Sequence, residues 1–111
     1  MQLNCKYVSA SEAGDYFQVL FEKERDNDKE YFLIQRQFEF PDGGRCYIET
    51  QGEDYIGHYK IRKSTISPKR FYVKIQRQQN SDITINFNTS TKNYNEIKRV
   101  LKIMLPNIIE E

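Results

Sequence analysis

Apolar residues recur at every second position through much of this chain, and the two cleanest runs lie late. In "FYVKIQR", Phe71, Val73 and Ile75 alternate with Tyr72, Lys74 and Gln76. In "ITINF", Ile83, Ile85 and Phe87 alternate with Thr84 and Asn86. A period of two sends successive side chains to opposite faces of a strand, so each run has one covered face and one wetter face. Segments 2–8, 16–22, 31–37, 45–50 and 55–63 are also rich in aromatic and β-branched residues, and with 71–77 and 83–87 they make seven expected strands. Turn-forming residues separate them: Gly14, the charged run 24–30, Pro41-Asp42-Gly43-Gly44, Gly52, Pro68 and Asn80. Links this short suit antiparallel neighbours, because parallel strands need long crossovers. "YFLIQRQFEF" begins apolar on both parities, which puts it centrally in a sheet or beneath a second covering layer.

The period changes near the C-terminus. "TKNYNEIKRVLKIMLP" places Tyr94, Ile97, Val100, Leu101, Met104 and Leu105 on one stripe at spacings of three and four, with Lys98, Arg99 and Lys102 opposite. Asn93 and Glu96 have the spacing of a capping box, and Pro106 sets an end near Leu105. The expected architecture is α+β: an antiparallel meander of about seven strands with one C-terminal helix packed on one face. It forms a single domain over residues 1–111, with strands over about 2–87 and the helix over about 93–105.

Composition narrows the function classes. No apolar run approaches the ~20 residues needed to span a bilayer, so no membrane segment is expected. "MQLNCKYVSA" has no apolar stretch of signal-peptide kind, and the expected location is the cytoplasm. Cys5 and Cys46 then read as free thiols rather than a disulfide. Net charge is +1, yet residues 1–57 hold 6 basic and 12 acidic side chains, and residues 58–111 hold 11 and 4. Mixing of strands from both halves would disperse this asymmetry; a segregated arrangement would mark an interaction surface.

The candidate chemistry gathers around "CYIETQGEDYIGHYKI", which carries His58, the only histidine. Strand parity puts His58 on the wetter face with Ile56, Lys60 and Arg62. General acid–base work would also need an orienting partner and a substrate pocket, and no such motif accompanies it. One histidine and two distant cysteines make no recognisable zinc site, and "DNDKE" at 26–30 lacks the glycine and terminal acid of a calcium loop. No catalytic residue, metal or cofactor is assigned. Two binding readings remain. Tyr47, Glu49, Glu53, Asp54, Tyr55 and His58 combine tyrosine contact area with acidic charge, as protein recognition requires. Alternatively, His58, Lys60, Arg62, Tyr72 and Lys74 interleave cations and aromatics as a nucleic-acid-binding face would; a net charge near zero argues against that partner.

A resemblance weighs on the choice. "EYFLIQRQFEF" (30–40), "CYIETQGEDYIGHYKI" (46–61), "RFYVKIQ" (70–76) and "ITINFN…YNEIKRVLKIML" (83–105) together resemble the immunity protein 10 family of bacterial polymorphic toxin systems. The resemblance covers roughly residues 16–105, with His58 standing where the loose "Y-x-G" pattern has a second glycine. It implies a non-enzymatic antitoxin whose partner is a cognate toxin protein. It carries no catalytic residues onto this sequence.

Overall fold

A computed structural model gives the fold, and it describes residues 1–25, 29–39 and 43–111. The expected turn residues Pro41 and Asp42, and Asp26 to Asp28 of the acidic run, lie outside the described residues. Among the described residues there are ten strands: β1 (Gln2–Cys5), β2 (Tyr7–Ala13), β3 (Tyr16–Glu22), β4 (Tyr31–Gln37), β5 (Cys46–Thr50), β6 (Gly57–Tyr59), β7 (Ile61–Ser67), β8 (Arg70–Ile75), β9 (Asp82–Phe87) and β10 (Ile109–Glu110). A short 3-10 helix, Glu53–Tyr55, joins β5 to β6, and one α-helix, α1 (Thr91–Met104), follows β9. The class is α+β, as expected.

The strands form two sheets of five rather than one meander. The first has the order β2-β3-β4-β5-β6 and is antiparallel throughout. The second has the order β1-β9-β8-β7-β10, with β1 parallel to β9 and β10 parallel to β7. Two expected strands each divide where the chain passes from one sheet to the other. At Lys6 the backbone leaves β9 and bonds β3, its N–H donating to the Glu22 carbonyl at 3.0 Å. At Lys60 the carbonyl accepts from Gln76 N–H at 2.8 Å as the chain leaves β5 for β8. Strands that switch sheets at bends make the corners of two-sheet folds. The burial parity carries the mark of both changes. Leu3 and Cys5 face inward, and then Val8 does; Ile66 faces inward beyond a register shift between Ile61 and Lys63.

The link expected between strands 2–8 and 16–22 is shorter than the sequence implied. β2 continues to Ala13, and the reversal is made at Gly14, whose φ of 61° is easy for glycine. Ser11, Glu12 and Ala13 are exposed on both parities because β2 is an edge strand there, so no alternation was available to read.

The core lies between the sheets. Phe21 of β3 stacks on Phe71 of β8 with centroids 5.5 Å apart and planes 9° from parallel. Phe87 meets Phe21 at 5.5 Å, and Phe32 meets Phe71 at 6.2 Å. The alternations of β8 and β9 hold as expected: Phe71, Val73, Ile75, Ile83, Ile85 and Phe87 are all buried. α1 packs against β2 and β3, and Tyr94, Ile97, Val100, Leu101 and Met104 join the same hydrophobic cluster. Its start differs from the expected capping box. Ser90 is the N-cap and its hydroxyl accepts from Asn93 N–H at 3.1 Å, while Glu96 is drawn to Arg99. Asn93 instead ties the helix to the sheet, its side-chain amide donating to the Val8 carbonyl at 2.8 Å. At the other end Arg36 of β4 donates to the Met104 carbonyl at 2.6 Å, satisfying a helix-terminal acceptor. Glu110 of β10 then bonds Lys98 and Lys102, both at 2.8 Å, and so pins the C-terminal strand across the helix.

Candidate protein-binding face

The antiparallel sheet turns Val19, Phe21, Phe32, Ile34 and Ile48 inward, so the opposite parity of β3, β4, β5 and β6 forms an outer face. Cross-strand pairing places Gln18, Gln35, Tyr47 and His58 in one row. Leu20, Leu33 and Glu49 make the neighbouring row, and Glu22 pairs with Tyr31 beyond it. Leu33 is only 9% exposed although it faces outward, because its neighbours on this face close over it. The doubly apolar start of "YFLI" thus falls on β4, the central strand of its sheet.

The polar groups of this face hold one another in place. Tyr31 and Tyr47 each donate a hydroxyl hydrogen bond to Glu49, one to each carboxylate oxygen, both at 2.6 Å. These bonds favour the ionised carboxylate and hold Glu49 below its ordinary value. The same bond with Glu49, reinforced by burial, pushes Tyr31 up to about 12, and Tyr47 is raised for the same reasons. Tyr16 hydroxyl and the Gln35 amide both donate to the Gln18 side-chain oxygen, each at 2.8 Å. The His58 ring lies beside Tyr47, with centroids 5.2 Å apart and planes at 54°. Two shallow grooves open here: one of about 350 Å³ bounded by Tyr16, Gln35, Tyr47 and His58, and one of about 310 Å³ floored by Leu20 and Leu33.

Of the six residues selected from the sequence, the structure brings Tyr47, Glu49 and His58 onto this face. Glu53, Asp54 and Tyr55 form the 3-10 turn at the tip of the β5–β6 hairpin and are directed elsewhere. The Asp54 carbonyl accepts from Arg77 at 2.9 Å, and the same guanidinium lies over the Tyr55 ring at 4.5 Å. Tyr16, Gln18, Leu20, Tyr31, Leu33 and Gln35 escaped the sequence reading, because they lie on strands distant in sequence and join the site only through pairing. The double-parity apolar run at Leu33 was the one signal that pointed to them.

The alternative basic set is divided by the fold. His58 belongs to the antiparallel sheet, whereas Tyr72 and Lys74 lie on β8 of the other. The Tyr72 hydroxyl is bonded to Asp82. Cys5 and Cys46 are free and buried, and desolvation pushes their thiols up to about 12 and about 11. Among the described residues no three His, Cys, Asp or Glu side chains cluster as a metal site, and no helix is long and apolar enough to cross a membrane. Comparison with family models, with curated proteins and with solved structures finds no match to this chain.

Proposed function

We propose that this protein is a non-enzymatic, immunity-type binding protein that neutralises a cognate bacterial toxin in the cytoplasm, docking it on the outer face of β3 to β6. The observation that carries the reading is the Glu49 carboxylate held by two tyrosines on an outward face that also encloses Leu33. Rigid aromatic anchors around a fixed charge over a nearly buried apolar residue are what a protein-recognition centre needs, since little freedom is lost on binding. The immunity protein 10 resemblance, which spans β3 to α1, supports the same role. Co-expression with the product of the neighbouring gene is the test: that product should be toxic, and the chain should restore growth and co-purify with it. Tyr47→Ala should weaken that complex by at least about tenfold, as truncation of an aromatic hot spot does. A chain that neither rescues growth nor co-purifies would end the reading.

A second reading, nucleic-acid binding, draws on Lys60, Arg62, Lys63 and Lys74, none of which has a carboxylate partner among the described residues. It requires affinity for RNA or DNA at low salt that falls steeply as salt is added. A protein with no such affinity excludes it.

A further inference from the structure

The groove floored by Leu20 and Leu33 is apolar below and acidic above, and the two properties together select an occupant. Glu22 stands at one side, half-buried, and its carboxylate has no hydrogen-bond or ion-pair partner among the described residues. Glu49 stands at the other, its two oxygens each accepting one tyrosine hydroxyl. A carboxylate offers about four acceptor sites, so Glu49 retains one free direction on each oxygen, in a plane that the tyrosines fix. Nearby cations of the chain itself are engaged elsewhere: Lys6 bonds Glu24 at 2.8 Å, and Arg25 lies over the Tyr7 ring at 4.5 Å. An unpaired carboxylate beside an apolar floor is a ready partner for a cation arriving from outside.

We infer that this groove receives an arginine side chain of the partner protein, its methylene stem lying on Leu20 and Leu33 and its guanidinium bridging Glu22 and Glu49. This rests on the protein-binding reading above and names the contact that partner makes. Arginine suits the groove better than lysine on two counts. Its planar fork matches a carboxylate held at fixed orientation, and its weaker hydration lowers the cost of entering a groove with an apolar floor. Tyr31 beside the floor adds an aromatic ring within the same lining.

The tripeptide Gly-Arg-Gly tests the inference on the intact chain at low salt, followed by NMR, with Gly-citrulline-Gly as the neutral isostere. The arginine peptide should shift the Leu20 and Leu33 methyl signals and the Glu22 and Glu49 amides saturably, and the citrulline peptide should not. Glu22→Gln should weaken the arginine peptide about tenfold, the order expected for loss of one charge-assisted hydrogen bond. That carboxylate bonds nothing within the described fold, so the variant should fold like the parent. Shifts absent from these residues, or equal for the two peptides, overturn the inference. The protein-binding reading has its own fate: growth rescue that survives Glu22→Gln but is lost in Tyr47→Ala sinks the arginine contact and leaves toxin docking intact. Loss of rescue in both, with folding preserved, supports the contact.

Discussion

Glu49 shows how one side chain couples two strands. It lies on β5, bonds Tyr31 on the neighbouring β4, and bonds Tyr47 two residues away on its own strand. Because its folded pKa is lowered, its contribution to stability is complete above the unfolded carboxylate value of about 4.3 and is lost as pH falls through the lowered folded value. Tyr31 behaves oppositely. Its contribution is complete below the unfolded tyrosine value of about 10 and is lost as pH rises through the folded value of about 12. In an alkaline absorbance titration, Glu49→Gln should therefore move the Tyr31 and Tyr47 ionisations back toward the ordinary range. A titration curve that overlays the parent's would show that the two hydroxyl bonds do not form in solution. Sequence parity could place His58 on a wetter face; it could not pair Glu49 with Tyr31, because register between strands is not written in either strand alone.

At the scale of elements, α1 was legible almost to its ends. Its apolar stripe needed only the 3.6-residue period, and every member of that stripe is buried. The cap was misassigned for a local reason: Ser90 and Asn93 can both begin a helix, and Asn93 is claimed by the Val8 carbonyl and by Thr89. Ser90→Ala should lower stability by about 1 kcal/mol, read from the denaturant midpoint, because it leaves the Asn93 N–H without its side-chain acceptor. An unchanged midpoint would return the capping role to Asn93. The strands were legible in number only where alternation ran unbroken. Those that change sheets at Lys6 and Lys60 read as single strands, since a strand that changes partners stays extended throughout.

For the whole molecule, the switching strands make the two sheets one cooperative unit. β1 continues into β2 and β6 into β7, so neither sheet can separate while the other stays paired. Phe71 touches both Phe21 and Phe32 across the gap between the sheets, and Phe71→Ala should cost about 3–5 kcal/mol as a large core truncation. Urea unfolding followed by far-ultraviolet circular dichroism and by tyrosine fluorescence should give one coincident transition, shifted as a whole by the substitution. Separated transitions would mean that the sheets unfold independently. The charge asymmetry also resolves at this scale. Arg99 of the basic half bonds Glu12 of the acidic half at 2.9 Å, while Lys60, Arg62, Lys63 and Lys74 keep no carboxylate partner among the described residues, so dispersal is partial. What the sequence by itself determined is the class, the late alternations, the helix and the outward parity of His58, because each follows from a periodicity within one stretch of chain. Only the tertiary structure decided the two-sheet arrangement, the parallel pairings of β1 and β10, and the union of Tyr31, Leu33 and Glu49 in one face. Those depend on which strand lies beside which, and hydrogen bonds between backbones carry no side-chain signature that a single strand could reveal.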